Sequence, residues 1–141
     1  MNDTLPPLET AVAEPPAVEA PSSERTWAAA AHLSALVAAL MTSWFAGIAG
    51  AMAAFVVWLL VREKSAFAAA HAKEALNFNF SMCLYAIASL VLVVFTLGLG
   101  LIIAVPLWIA MAIAWLVFTI VATVKAYDGE VYRYPVTLRL F

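Results

Sequence analysis

Apolar and charged positions along this chain fall into separate blocks. No Lys, Arg, Asp or Glu occurs from Thr26 to Val61, and none from Ala75 to Val124. A hydrocarbon core about 30 Å thick takes roughly 20 apolar residues per helical span, and both runs exceed that. A soluble domain needs charge over its surface, which two such runs deny it. The runs are apolar on every face, as in Ala53-Ala54-Phe55-Val56-Val57-Trp58-Leu59-Leu60. A membrane β-barrel would alternate apolar and polar residues over strands of about 10 positions. Helices satisfy every backbone donor and acceptor internally, as lipid demands. The expected fold is therefore all-α, a polytopic integral membrane bundle of helices.

Breaks in the pattern divide the runs. As one straight helix, Trp27 to Val61 would be about 52 Å long at about 1.5 Å per residue, too long for one span. Thr42 to Gly50 contains the only weak stretch. A hairpin there yields segments at about 27–43 and 46–61; the alternative is one long tilted or kinked helix. Arg62-Glu63-Lys64-Ser65 is a charged loop in which Ser65 suits the cap of the next helix. That helix, about 66–97, starts with mixed polarity and turns wholly apolar. Gly98 and Gly100 favour a turn, because glycine is a poor helix former. A last segment runs over about 101–126, with Pro106 in its early turns. Asp128-Gly129 ends it, since glycine accepts the left-handed cap conformation. Four membrane segments result, or three if the first run is one helix.

Composition sharpens this picture. The hydrophobic fraction is 66% and the formal net charge is −2. The charge is unevenly placed: the first 24 residues hold Asp3, Glu9, Glu14, Glu19 and Glu24, five of the seven prolines and no basic residue. Residues 1–25 read as a disordered acidic tail, because such a segment cannot bury enough apolar surface to offset its ordering entropy. It lacks the basic start of a secretory signal. The membrane domain is then 26–141. Nothing resembles a nucleic-acid footprint. Cys83 is alone, so no disulfide framework is expected, and it reads as a small core residue. Lys and Arg favour the cytoplasmic side of short loops. Arg62, Lys64 and Lys73 mark the 62–73 loop, and Lys125, Arg133 and Arg139 mark the C-terminal stretch, while the glycine turn has neither. The loop and the C-terminus are expected to be cytoplasmic.

Candidate chemistry is sparse. His71, Glu74, Asn77 and Ser81 fall on one helical face, and Lys73, Asn77 and Ser81 form an i, i+4 row. A polar stripe at the edge of a membrane must face protein, water or headgroups. It is expected either to contact a substrate or to join helices, the latter at about 0.6 kcal/mol per hydrogen bond. His32 with His71 and Glu74 is a weak metal signal, and no metal site, cofactor or catalytic residue is assigned. No zinc-protease, nucleophile-elbow or phosphate-loop motif is present. Ala46, Gly50 and Ala54 make a small-residue row that could seat a helix. Within residues 130–141 the chain alternates from Tyr132 onward, with Tyr132, Tyr134, Val136, Leu138 and Leu140 on one side. They read as an extended interfacial segment anchored by Tyr132, Arg133, Tyr134 and Arg139.

Several motifs carry a resemblance over about residues 26–141. These are His32-Leu33-Ser34-Ala35-Leu36, Trp58-Leu59 before a charged loop, and His71-Ala72-Lys73-Glu74-Ala75-Leu76-Asn77-Phe78. Lys125-Ala126-Tyr127-Asp128-Gly129-Glu130 and Tyr132-Arg133-Tyr134-Pro135 complete the set. Together they resemble a bacterial family of small membrane proteins known only as a domain of unknown function. More remotely they are similar to the polytopic Tic component of chloroplast inner-envelope protein import. The resemblance implies four helices and a bacterial cytoplasmic membrane. The expected function is a non-enzymatic scaffold or accessory subunit, assisting protein insertion or assembly. The alternative is a channel or transporter subunit for a small solute or ion. The expected partners are the lipid bilayer and other membrane proteins or a second copy.

Overall fold

A computed structural model describes residues 19–42 and 46–141. Most of the acidic tail, and Ser43–Phe45 at the expected hairpin break, lie outside the described residues. The described chain forms four helices: α1 (Ser22–Thr42), α2 (Ala46–Val61), α3 (Ala66–Phe95) and α4 (Leu101–Tyr127). No strand occurs among the described residues. Two helices, α3 and α4, are long and apolar enough to cross a membrane, whereas α2 is a shorter apolar helix.

Local chemistry explains the boundaries. Helix α1 begins at Ser22, inside the stretch expected to be tail. The Pro21 carbonyl accepts from the amides of Glu24 and Arg25, and Glu24 occupies the first turn. An acid there meets the positive end of the helix dipole. Ser65 caps α3, its hydroxyl accepting from the Ala68 amide at 3.1 Å. The α3–α4 turn places Leu97 and Gly98 at φ 52° and 92°. Glycine enters that region freely, which makes Gly98 the natural pivot. Gly129 takes φ 85° after α4 and lets the chain fold back.

Helix α1 is the centre of the bundle and touches α2, α3 and α4. Its buried face is Ala28, Ala31, His32, Ala35 and Ala39, an i, i+3, i+4 stripe of mostly alanine. Small residues let backbones approach closely, the usual means of helix association in lipid. Three clusters follow. Ala28 and Ala31 meet Val57, Val61, Ala68, Ala72 and Ala126 near the charged loop. Ala35 meets Ala51, Ala54, Ala75 and Leu76 one layer further. Phe78, Ala122 and Tyr134 form the third. Gly50 sits where an added Cβ would crowd Asn79 and the Ala35 carbonyl. In the expected small-residue row, Gly50 and Ala54 are therefore true contact positions.

The outside is as apolar as the inside. Only Ala104, Thr119, Ala122 and Ala126 of α4 are buried, and its exposed residues are chiefly Ile, Leu and Val. Water penalises such a surface and hydrocarbon accepts it.

Candidate functional site

The polar residues of α3 converge on the chain's own C-terminal segment. Asn77 Oδ1 accepts from the amides of Leu140 (3.0 Å) and Phe141 (3.1 Å), and its Nδ2 donates to the Phe141 carbonyl. Ser81 Oγ accepts from the Leu138 amide at 2.9 Å while donating to the Asn77 carbonyl. Tyr85 donates to the Val136 carbonyl at 2.8 Å. Glu74 Oε1 accepts from the Tyr134 amide (2.9 Å) and from Arg139 (3.0 Å). Glu74, Asn77, Ser81 and Tyr85 stand three or four residues apart, so they share one face of α3. They form a rail whose partners are mainly backbone groups of an extended arm. Each backbone group is thereby satisfied in a setting where an orphan would be costly.

Tyr134 fixes the arm in the bundle. Its ring stacks on Phe78 with centroids 3.9 Å apart, and its hydroxyl lies 2.9 Å from His32 Nδ1. His32 Nε2 in turn lies 3.0 Å from His71 Nδ1. All three side chains are at most 2% exposed. Burial pushes the Tyr134 hydroxyl well above its ordinary value, so it stays protonated. The chain Tyr134–His32–His71 thus links the arm, α1 and α3 by hydrogen bonds. On the same level Asn79 donates to the Ala75 carbonyl and accepts from Trp115 of α4 at 3.0 Å.

The structure sorts the expected stripe into three directions. Glu74, Asn77 and Ser81 face the arm. His71 faces His32. Lys73 is exposed and lies over the Trp58 ring, 5.7 Å from its centroid, so the row of Lys73, Asn77 and Ser81 is not one lined path. The angle between i and i+4 accumulates, and the arm covers only the nearer edge. The interfacial anchors also need correction. Tyr134 is buried rather than placed among headgroups, and Arg139 pairs with Glu74. Tyr132 is half-buried with its ring edge-on to Tyr134, and Arg133 is exposed. A turn at 135–136, with Val136 at φ 55°, breaks the alternation expected of a continuous extended segment. The cause is the rail, which pairs with arm amides and so dictates the path. Sequence reasoning missed His32, Tyr85 and Phe78 as arm partners. Tyr85 was within reach, one helical turn beyond Ser81 on the same stripe.

Beyond the rail, an apolar cleft of about 600 Å³ separates α3 from α4, lined by Met82, Ser89, Leu107, Met111, Pro135 and Val136 among others. Trp108 donates to Ser89 across it at 2.6 Å. No group of three or more His, Cys, Asp or Glu side chains able to hold a metal ion occurs among the described residues.

Fold and site define a helical bundle with two membrane-length helices and a C-terminal arm clipped to the third helix. The chain belongs to the magnetosome magnetite crystal formation protein family (MamF/MmsF), whose family model matches residues 23–141. This match overturns the resemblance to the bacterial family of unknown function and to the Tic component. The motifs that carried it are largely the rail (His71–Phe78) and the arm (Tyr132–Pro135), features of how this bundle closes. No curated protein and no solved structure matches the chain.

Proposed function

We propose that this protein acts in magnetite crystal formation as a non-enzymatic, multi-pass component of the magnetosome membrane, in the manner of a scaffold rather than an ion path. The observation that carries this reading is the use made of the polar stripe. Asn77 and Ser81, the groups that would line a conduit, are occupied by the amides of Leu138, Leu140 and Phe141. Other buried polar groups bond across helices, as in Trp115–Asn79 and Trp108–Ser89. Family membership supports the biological setting. The apolar exterior and the two membrane-length helices support the bilayer. The 62–73 loop and the C-terminal arm, which carry most of the basic residues, belong on the cytoplasmic face. The insertion and assembly role drew on the resemblance now replaced, and it drops out.

Two measurements test this. In a magnetite-forming host lacking this chain, the full protein should restore crystal size and shape in electron micrographs, and Asn77→Leu should restore them less well. Purified protein in sealed vesicles should leave ferrous-ion and proton flux at the level of empty vesicles. Flux well above that level would favour a channel and overturn the scaffold reading.

A further inference from the structure

The two hairpins of the bundle differ in height. Gly47, near the start of α2, lies against Cys83 of α3, where an added Cβ would meet Cys83 Cβ at 3.2 Å. Ala35 of α1 lies beside Gly50, level with Asn79, and α1 ends at Thr42. Helix α3 nevertheless continues to Phe95. From Cys83 to Phe95 is about 18 Å at about 1.5 Å per residue.

Burial along one face of α3 records the step. Ala68, Ala72 and Ala75 are 0% exposed and Asn79 is 1% exposed, where α1 and α2 cover them. The same face continues, at helical spacing, through Ile87, Leu90 and Val94, which are 52%, 53% and 65% exposed. From 86 to 112 only Ser89, Gly100 and Ala104 are buried. Here α3 and α4 stand without α1 and α2.

Three observations name what covers this part. No charge occurs from Ala75 to Val124, and the tip ends in Leu97, Gly98 and Leu99. Thr96 turns its hydroxyl to the Leu92 carbonyl rather than to solvent. The contact faces between α1, α2 and α3 are mostly alanine, whereas the uncovered stripe is Ile, Leu and Val, the residues that suit lipid tails. Leu101 to Val124 is about 36 Å at about 1.5 Å per residue, enough to cross a core of about 30 Å with tilt. The 16 residues of α2 are about 24 Å and fall short.

We propose that the protein is a wedge in the bilayer: four helices wide in the leaflet next to its charged end, two wide in the opposite leaflet. This rests on the membrane reading above. The two extra helices, each about 10–12 Å across, displace lipid on one side only. The docked arm adds width at the same end. A membrane curved so that the charged-end leaflet is the outer, convex one offers that extra area. The surface it fits is therefore a strongly curved vesicle or tube, entered with the charged end outward.

Depth measurements test the wedge. Full-length protein carrying Cys83→Ala receives one nitroxide at Thr42→Cys, Leu90→Cys or Leu97→Cys, in phosphatidylcholine–phosphatidylglycerol vesicles. Collision with dissolved oxygen and with a water-soluble nickel chelate should place Thr42 and Leu90 deep in hydrocarbon and Leu97 near the far headgroups. Thr42 and Leu97 both at the far headgroups would overturn the wedge and leave the membrane reading intact. Water exposure at all three sites would overturn the membrane reading itself. Leu90 shielded from both reagents would show a second copy filling the step, which also overturns the wedge. With the depths as expected, dye-labelled protein oriented charged end outward in giant vesicles should be enriched severalfold in nanotubes pulled from them. The enrichment should grow as the tube narrows and survive removal of residues 1–18. A density ratio of one at every radius would overturn the match to curvature.

Discussion

The Tyr134 ring lies on the Phe78 ring, planes 7° from parallel, so a residue of the C-terminal arm is packed as deeply as any in the helices. Tyr134 also reaches His32 through its hydroxyl. Tyr134→Phe keeps the stack and removes that hydrogen bond, with an expected loss of about 1–3 kcal/mol for the buried partner left unsatisfied. Tyr134→Ala removes the stack as well and should cost about 3–5 kcal/mol. Thermal unfolding in detergent should rank wild type above the Phe variant and the Phe variant above the Ala variant. Equal midpoints for all three would show that the arm does not contribute to the fold.

Asn77→Leu should free the end of the arm without unfolding the bundle. It leaves the amides of Leu140 and Phe141 unpaired while the leucine suits an apolar helix face. A cost of about 1–3 kcal/mol is expected. Hydrogen exchange at residues 136–141 should accelerate in the variant, with α1–α4 amides unchanged. Unaltered protection of the arm would mean that Ser81, Tyr85 and Glu74 hold it alone.

The two glycines at the ends of the apolar segments should both resist alanine, for different reasons. At Gly50 an added Cβ runs into the Asn79 side chain and comes within 3.2 Å of the Ala35 carbonyl, so Gly50→Ala should cost about 1–3 kcal/mol by overpacking. At Gly98 nothing lies within 4 Å and only the positive φ resists, at about 1–2 kcal/mol. Double substitution Gly50→Ala with Asn79→Ala should recover part of the first loss, as judged by unfolding midpoints. No recovery would place the crowding at the Ala35 backbone.

Alkaline pH should weaken the arm. The Tyr134 hydroxyl is pushed up from its ordinary value of 10.0, chiefly by burial. Above pH 10 the unfolded chain therefore holds fewer protons than the folded one, and stability falls as pH rises. Below pH 10 this contribution is fully present. Tyr132, raised by partial burial, adds in the same direction. Unfolding midpoints followed from pH 9 to 11.5 should fall less steeply for Tyr134→Phe than for wild type. Parallel slopes would refute the assignment.

Residue pattern alone determined the helical body. Two charge-free runs cannot be hidden in a soluble domain, and glycine at positions 98 and 129 marks turns because it accepts positive φ. The cap at Ser65 was equally legible, since capping is a local hydrogen bond. The start of α1 at Ser22 was not, because Pro21 and Glu24 read as tail composition although their arrangement begins a helix. The stripe Glu74, Asn77, Ser81 was visible as a periodicity, but its partner was not. That partner lies some 60 residues away, joined by backbone amides that any sequence possesses. The same holds for Tyr134, whose aromatic ring and hydroxyl suit headgroups and buried cores equally well. Only the tertiary structure decided between them, by setting His32, Phe78 and Glu74 around the one place where ring, hydroxyl and amide are all satisfied.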